Sequence, residues 1–331
     1  MKMTETTVMT SPDPKPTNVA FANWRTRHER FQNAVKEIGH THAKHGTEGA
    51  GMLLMGMPGL GKSSILASYI KHHLKARDDL ESEDGSKEPI ILVSVPAEPT
   101  LKTMIQEIIL ASGYQGSIKG TIGELKQKLD ELIVQRGVEM LVLDEFQHFL
   151  REQAKSNTRG VVNHIKLLMD KHKLAVIMAG TPPGYRSIAQ FEELYQRFAH
   201  RQIRLKPFRI DSPEELEMFG SYVSACTHFL RRHDVNIISL ADEKMLFRLF
   251  LATKGIPRLI SHLLGTAIEG VEPGTKVTMS DLSRAFARSS LNPELETFDP
   301  FKAPIDKVAE RATIAQKKAI KQDSEQWKVK V

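Results

Sequence analysis

The sequence has little of what marks a secreted or membrane protein. It contains one cysteine, Cys226, in 331 residues, so no disulfide can form within it. A lone thiol fits a reducing compartment, and we therefore expect a cytoplasmic location. No run approaches the roughly 18 consecutive apolar residues that a membrane-spanning helix requires, so we expect no membrane partner.

The remaining composition is that of an ordinary globular protein. Apolar residues make up 40% of the chain and charged residues 26%, which allows a sizeable core in one large or two smaller domains. The net charge of +6 is spread over a long chain. It therefore permits nucleic-acid binding without requiring it.

Short apolar runs alternate with helical patterns through the first two thirds of the chain. Four runs are predicted to be buried strands: Met52–Met55, Ile90–Val95, Met140–Leu143 and Leu174–Ala179. Buried strands that alternate with helices are typical of a parallel sheet covered on both faces. From residue 211 onward only helical patterns remain. The sequence therefore predicts an α/β fold, a parallel sheet flanked by helices and followed by a small helical lid.

These patterns divide the chain into four predicted segments. Residues 1–18 are a disordered leader, and residues 19–210 are the α/β core, whose first helix we expect over Phe21–His40. Residues 211–290 form the helical lid. Residues 291–331 are a flexible basic tail, in which only Ile305–Lys321 has a helical pattern.

A glycine-rich turn follows the first strand and opens a helix. Gly56–Ser63 reads Gly-Met-Pro-Gly-Leu-Gly-Lys-Ser and satisfies the phosphate-binding pattern G-x-x-x-x-G-K-[ST]. In such a loop the main-chain N–H groups point at phosphate oxygens, and the start of the helix adds its positive end. A chance glycine turn would not explain the strand before it and the helix after it. The predicted nucleotide-binding residues are Met57, Pro58, Gly59, Leu60, Gly61, Lys62, Ser63 and Ser64.

An acidic pair, Asp144 and Glu145, directly follows the third strand. A parallel sheet would carry Asp144 to the side of the phosphate-binding loop, where its carboxylate and the Ser63 hydroxyl can hold Mg²⁺. Glu145 can orient or deprotonate the water that attacks the phosphate. The alternative, an exposed pair in a turn, does not explain the four apolar residues directly before it.

Three further residues are candidates for completing the catalytic site. Thr181 closes the fourth strand and can lie near the γ-phosphate, although a threonine can also end a strand without such a role. Arg197 can reach the γ-phosphate of a neighbouring subunit as an arginine finger, and Arg201 competes for that role. Arg258 lies in the first turn of a lid helix and can fold back onto the same phosphate. For each of the three arginines, the alternative is a solvated position on the surface.

In this order, these parts resemble the AAA+ superfamily of P-loop ATPases. The resemblance covers roughly residues 21–288 and assigns Thr181 as the first sensor, Arg197 as the finger and Gly255–Arg258 as the second sensor. Two segments are similar to the TnsC/TniB family of transposition regulators, and especially to TnsC of transposons that have captured CRISPR machinery. They are Asp144–His148, which reads Asp-Glu-Phe-Gln-His, and Ala179–Pro182, which reads Ala-Gly-Thr-Pro.

The resemblance implies an ATPase that uses ATP and Mg²⁺. Proteins of this family assemble as homo-oligomeric rings or filaments around double-stranded DNA and link target-site selection to transposase recruitment. ATP binding and hydrolysis then act as a switch between assembly and disassembly. The implied partners are a TniQ-type targeting protein and the transposases TnsA and TnsB.

No clear motif marks the DNA-contacting residues. By analogy, the segments that face the pore follow the second strand, which points to Lys102, Lys119 and Thr121 as contacts to the phosphates. Thr121 with Glu124 also has the spacing of a helix capping box, which is at least as good an interpretation. The two lysines fit a solvated surface as well.

Three histidines, His40, His42 and His45, stand close together in a polar, glycine-containing stretch. No cysteine lies near them and no carboxylate pattern matches them, so the sequence argues against a metal site there.

An initiator or helicase-loader ATPase of replication is the alternative function, because it shares the same core. Such an initiator would carry a winged-helix module after the lid, and residues 281–331 are short and polar for one. A translocating motor is a third class. It would need an aromatic pore loop, and no aromatic-hydrophobic pair follows the second strand.

Overall fold

The structure is a computed structural model. It describes residues 17, 20, 21, 24, 26, 28–47, 50–78, 87–97, 100–150, 155–269, 271, 274–289, 291–295 and 297–328. Apart from Thr17, the predicted leader 1–18 lies outside the described residues. The chain divides into two compact units. The core unit comprises Arg27–Pro207 and Lys317–Val331, and the helical unit comprises Met1–Thr26 and Phe208–Gln316.

A five-stranded parallel sheet forms the centre of the core unit. Its strands in chain order are β1 Gly51–Met55, β2 Ile90–Ser94, β3 Met140–Asp144, β4 Ala175–Gly180 and β5 Gln202–Arg204. Their order across the sheet is β2-β3-β4-β1-β5. The four predicted strands and their parallel arrangement are confirmed, whereas β5 was not predicted.

Helices surround this sheet in the core unit. They are α1 Glu29–His42, α2 Lys62–Asp78, α3 Leu101–Ala111, α4 Ile122–Arg136, α5 Lys155–His172, α6 Pro182–Ile188 and α7 Glu192–Ala199. A 3₁₀ turn, Phe146–Leu150, follows β3.

Burial along the strands follows their position in the sheet. Every residue of the central strands β1 and β4 is buried, which is why their sequences are continuous apolar runs. The edge strand β2 leaves Leu92 and Ser94 exposed. The three strands β1, β4 and β3 are adjacent and parallel, so their carboxyl ends lie side by side. Polar residues that follow these three strands are therefore brought to one edge.

Four helices of the helical unit lie within the segment predicted as the lid: α8 Pro213–Arg232, α9 Glu243–Thr253, α10 Pro257–Glu269 and α11 Met279–Arg288. The unit also includes the first part of α12, which spans Ile305–Gln326 and belongs to the segment predicted as the tail. The buried apolar faces of these helices form one core. Ser212 starts α8 by accepting a hydrogen bond from the N–H of Glu215 at 3.3 Å, and Pro213 occupies the first turn. Among the described helices, none has the length and apolar character that a bilayer crossing requires.

The first residues of the predicted core are placed differently in the structure. Phe21 is buried in the helical unit, where its ring lies 5.8 Å from that of Phe229, and Trp24 lies 4.7 Å from the same ring. In the core unit the first helix begins at Glu29. In the sequence, Phe21 and Trp24 continue the apolar spacing of α1, which is why they were predicted to belong to the same helix. Their contacts with Phe229, about 200 positions away in the sequence, place them in the helical unit instead.

The segment predicted to be a flexible basic tail, residues 291–331, contains the longest described helix, α12. Val308 and Ala312, one turn apart, are buried in the helical unit. The side-chain oxygen of Gln316 accepts a hydrogen bond from the N–H of Ile210 at 3.1 Å. In the core unit, the ring of Trp327 lies 5.7 Å from that of Tyr185. The residues that make these contacts are few and lie between many lysines. The composition of the segment therefore indicates a flexible tail, although these few contacts hold the helix in place.

Candidate nucleotide-binding site

The phosphate-binding loop connects β1 to α2. Gly59 and Gly61 adopt φ angles of 84° and 93°, a left-handed region that other residues reach only with strain. With both glycines in this conformation, the main chain curls between the strand and the first turn of the helix. The N–H groups at the start of α2 have no acceptor earlier in the helix, so they can bind an anion.

Lys62 is the first residue of α2, and it is buried. Its ammonium group donates hydrogen bonds to the carbonyl oxygens of Gly56 at 2.8 Å and of Met57 at 3.3 Å. A buried ammonium requires such polar contacts because burial removes its hydration. The positive charge is thereby held against the loop in which a triphosphate would bind.

Ser63 and Asp144 join the phosphate-binding loop to the acidic strand end. The Ser63 hydroxyl donates to Asp144 Oδ2 at 2.8 Å, although 81 residues separate the two in sequence. The strand β4 lies between β1 and β3, so this hydrogen bond crosses the carboxyl edge of the sheet. A hydroxyl and a carboxylate are oxygen ligands of the kind that Mg²⁺ binds beside phosphates, so this pair fits that ion.

Glu145 has a backbone conformation that is rare for its residue type. Its φ angle is 58°, and its N–H donates to Asp144 Oδ1 at 2.9 Å. Non-glycine residues with positive φ cost free energy and concentrate at functional sites. Because of this turn the two neighbouring carboxylates have different partners. Asp144 bonds to Ser63, whereas Glu145 contacts Gln147.

Gln147 links Glu145 to Thr181, and sequence reasoning gave it no role. Its side-chain N–H₂ donates to Glu145 Oε2, and its side-chain oxygen accepts from the Thr181 N–H at 3.1 Å. The amide therefore uses both of its ends. In the sequence, Gln147 is marked only by its position, three residues after the aspartate that ends β3. No local rule assigns a glutamine there.

Gly180 makes this contact possible at the end of β4. A Cβ atom at this position would lie 2.7 Å from Gln147 Oε1 and 2.7 Å from a ring carbon of Phe146. Both distances are shorter than real Cβ contacts. A glycine therefore lets the turn after β3 pack directly against the end of β4.

The candidate finger arginines both form ion pairs within the chain. Arg197, on α7, donates from its two terminal nitrogens to Asp170 at 2.6 and 3.1 Å. Arg201 donates to Glu37 Oε2 at 2.7 Å. Arg197 and Asp170 are partly exposed, with 30% and 51% of their side-chain surfaces accessible. A pair of this kind contributes only about 0–1 kcal/mol and can be exchanged for another anionic partner.

Arg258 belongs to the helical unit and is exposed in the first turn of α10. It follows Gly255, whose φ angle is 68°. A Cβ atom on Gly255 would collide with the main chain of Phe208 in the same unit. The backbone geometry before this arginine is thus fixed within its own unit, and its role at the nucleotide stays a prediction.

The three predicted DNA contacts are exposed in the core unit, on and before helices α3 and α4. Thr121 forms the capping box of α4, because it accepts from the Glu124 N–H at 3.3 Å while Glu124 accepts from the Thr121 N–H at 2.7 Å. The Thr121 main-chain hydrogen bond, its side-chain hydrogen bond and the nearby Lys102 charge lower the pKa of Glu124 below its ordinary value. Thr121 therefore caps α4, Lys102 and Lys119 are exposed, and contact of all three with DNA stays a prediction.

The region that contains this site matches a known protein family. The family described as "Bacterial TniB protein" matches residues 21–208, which is more than half of the chain. The chain belongs to the TniB family. The matched region contains the phosphate-binding loop, the Asp144–Glu145 pair, Gln147 and Thr181. The predicted resemblance to the TnsC/TniB family is thereby confirmed, whereas the finer assignment to TnsC of a CRISPR-associated transposon stays a prediction.

Solved structures similar to this TniB-family chain have the AAA+ fold. The ORC2 protein of Aeropyrum pernix, in ADPNP–ADP complexes, matches with a TM-score of 0.57 and 13% identity over 83% of this chain and 71% of that one. Cdc6p of Pyrobaculum aerophilum matches with a TM-score of 0.57 and 13% identity over 80% and 69%. Drosophila ORC bound to DNA matches with a TM-score of 0.56 and 14% identity over 89% and 72%.

These similarities establish the fold of the TniB-family chain as an AAA+ P-loop core with a helical domain. At this level of identity they establish the fold alone. No curated protein sequence matches the chain.

Proposed function

We propose that this chain is an ATP-dependent regulator of DNA transposition. It assembles as a homo-oligomeric ring or filament on double-stranded DNA and links target-site selection to transposase recruitment. Its partners are a TniQ-type targeting protein and the transposases TnsA and TnsB, as in TnsC of a CRISPR-associated transposon. The observation that carries the proposal is the 2.8 Å hydrogen bond from Ser63 to Asp144, which joins both halves of a nucleotide site in a TniB-family chain.

The residues divide the work of ATP binding and hydrolysis. The main-chain N–H groups of Gly59–Ser64 bind the phosphates, and Lys62 exchanges its contacts with Gly56 and Met57 for the outer phosphate oxygens. When bound at Ser63 and Asp144, Mg²⁺ neutralises charge on the transferred phosphoryl group. Glu145 accepts the proton of the attacking water or orients it. Gln147 keeps Glu145 aligned with the end of β4.

Assembly depends on nucleotide because the subunit interface includes a phosphate. In the free chain Arg197 bonds to Asp170. In the oligomer it leaves this exposed aspartate for the γ-phosphate held by the neighbouring subunit. Loss of that phosphate on hydrolysis removes the partner and weakens the interface. Thr181 and Arg258 report the state of the phosphate within one subunit, while Lys102, Lys119 and Thr121 face the DNA backbone.

Electron microscopy with duplex DNA tests the assembly proposal. With a non-hydrolysable ATP analogue we expect rings or filaments around the duplex, and without nucleotide we expect dispersed chains. The Lys62→Ala variant should stay dispersed even with the analogue, because the outer phosphates lose their positive partner. Its melting temperature without nucleotide serves as the control for folding. An assembly state on duplex that does not change with nucleotide contradicts the proposal.

A replication initiator or helicase loader is the second candidate, because the similar solved structures include ORC and Cdc6 proteins. The two candidates differ in sequence preference. A regulator that coats DNA contacts phosphates alone, so competitor duplexes of unrelated sequence should displace one another with equal affinity. Preference for one duplex by 10³-fold or more, the lower end of typical specificity ratios, favours the initiator.

Gln147 provides a test of the internal architecture of the site. Replacing it with alanine should lower kcat for ATP hydrolysis by at least about 10-fold and by no more than the 10²–10⁴-fold that a positioned base contributes, because Glu145 loses its alignment. KM for ATP should stay unchanged, since Gln147 has no predicted contact with ATP. Steady-state ATPase measurements separate the two constants.

The matched control for this substitution is Gln127→Ala. It removes a surface hydrogen bond to Glu131 of 3.1 Å on α4 and should leave both constants unchanged. Equal kcat values for the Gln147 variant and the unmodified chain would show that the link to Glu145 has no role in hydrolysis.

A further inference from the structure

A cluster of three potential metal ligands lies in the core unit, away from the nucleotide site. His42 is the last residue of α1, His45 lies in the turn that follows, and Glu139 directly precedes β3. One ligand atom from each lies within 4.8 Å of the other two. The carboxylate that the histidine-rich segment lacks in sequence is therefore supplied by a distant strand.

The distances between these ligand atoms match those around a small metal ion. His42 Nε2 lies 3.1 Å from Glu139 Oε2, and His45 Nε2 lies 3.8 Å from the same oxygen. Zinc–nitrogen and zinc–oxygen bonds of about 2.0–2.2 Å place ligand atoms about 3.3–3.6 Å apart at the corners of a tetrahedron. Small side-chain rotations would place all three at bonding distance from one ion.

The second ring nitrogen of each histidine is already bonded. His45 Nδ1 lies 2.8 Å from the carbonyl oxygen of His42, and His42 Nδ1 lies 2.8 Å from the Tyr69 hydroxyl. A carbonyl cannot donate, so His45 Nδ1 carries the hydrogen. In the neutral ring, His45 Nε2 is then an acceptor. Ligating histidines in metal sites have this arrangement, with the outer nitrogen bonded to a protein group.

Two acceptors consequently face each other at His45 and Glu139, an arrangement that a cation bound between them would stabilise. His42 supplies the second indication. The side chain is only 3% exposed, and its Nε2 makes no hydrogen bond of normal geometry within the described residues although it points at Glu139. Buried polar atoms of this kind require an explanation, and a bound ion is one of the standard ones.

We propose that His42, His45 and Glu139 bind one Zn²⁺ ion. Imidazole and carboxylate ligands suit this ion, and three protein ligands leave a fourth position. The ring of His73, on α2, lies 4.6 Å from that of His42 and is the candidate for that position. His40 is not a ligand, because its Nδ1 contacts Glu37 at 3.3 Å instead.

The ion has a structural role in this site. It ties the end of α1 to the residue before β3 and to the neighbourhood of α2, all within the core unit. Glu139 lies at the amino end of β3, whereas Asp144 lies at its carboxyl end. A five-residue strand spans about 16 Å at roughly 3.3 Å per residue. The metal therefore stabilises the sheet from the side opposite the phosphate-binding loop.

Titration of the full-length, untagged protein with Zn²⁺ tests this proposal. The chain is first treated with a chelator and then titrated by calorimetry in excess Mg²⁺, which keeps oxygen-rich sites occupied. We expect one Zn²⁺ per chain, with micromolar or tighter affinity and a higher melting temperature. His45→Ala and Glu139→Gln should each weaken binding by about 100-fold or more, the upper range for loss of an outer-shell partner.

The matched control is His40→Ala, a histidine of the same segment that bonds elsewhere. It should bind Zn²⁺ as the unmodified chain does. Tyr69→Phe removes only the hydroxyl behind His42 and should weaken binding by about 10–100-fold. If the unmodified chain takes up no Zn²⁺, or if the His45 and Glu139 variants bind it with unchanged affinity, the cluster is a simple histidine–carboxylate ion pair and the proposal fails.

Discussion

Replacing Glu145 with glutamine is expected to slow ATP hydrolysis by about 10²–10⁴-fold, the contribution of a positioned general base. The amide cannot accept the proton of the attacking water. Binding of ATP should remain, because Lys62, Ser63 and Asp144 are unchanged. A single-turnover assay with labelled ATP measures the chemical step, and equilibrium binding of the same nucleotide measures affinity.

Glutamine is the appropriate substitution because it preserves the geometry around residue 145. The residue has a φ angle of 58° and contacts the amide of Gln147 through one side-chain oxygen. Glutamine keeps one oxygen acceptor and the same length, whereas alanine would also remove the link to Gln147. The variant therefore separates proton transfer from positioning.

The same variant should trap the assembled state on DNA. If hydrolysis dismantles the oligomer, then rings or filaments formed with ordinary ATP should persist as long as those formed with a non-hydrolysable analogue. Electron microscopy at successive times after ATP addition provides the measurement. Dispersed chains under these conditions would count against ATP as an assembly switch, while a normal hydrolysis rate would remove Glu145 from its proposed role.

Replacing Arg197 with alanine should lower kcat by about 10³–10⁵-fold in the assembled state, which is the usual effect of losing an arginine finger. The guanidinium stabilises charge on the γ-phosphate of the adjacent subunit, and no other group on α7 carries a positive charge. The substitution should leave the isolated chain folded. The ion pair with Asp170 that is lost is partly exposed, and such pairs contribute about 0–1 kcal/mol.

Arg201→Ala is the matched control. Arg201 also forms one ion pair, with Glu37, and it lies only four positions further along the chain. If Arg197 is the finger, the Arg201 variant should keep most of its DNA-dependent ATPase activity. Asp170→Asn leaves Arg197 in place and removes its charged partner, so it should not reduce kcat. A large loss at Arg201 with none at Arg197 would reverse the assignment.

Much of the fold could be predicted because its strands are locally recognisable. The central strands are buried on both faces, so Met52–Met55 and Leu174–Ala179 consist almost entirely of apolar residues. The strand β5 could not be found in the same way. Gln202–Arg204 is a three-residue edge strand whose residues are exposed or half-buried. It exists because the end of β1 offers hydrogen bonds to a neighbour.

The nucleotide site shows the same division. The glycine spacing, Lys62 and Ser63 form a contiguous motif, and the acidic pair directly follows an apolar run. Gln147, by contrast, acts through contacts with Glu145, which follows β3, and with Thr181, which follows β4. Its position next to Thr181 depends on β4 lying between β1 and β3 and on the missing side chain of Gly180.

Local sequence was sufficient to recognise the alternating strands and helices of the core and the phosphate-binding loop, because each of these features is carried by a short, contiguous segment. Tertiary structure alone decided that Ser63 bonds to Asp144, that Arg197 is held by Asp170 and that Glu139 faces His42 and His45. Each of these pairs joins residues far apart in the chain. Such contacts depend on strand order and helix packing, which local periodicity does not encode.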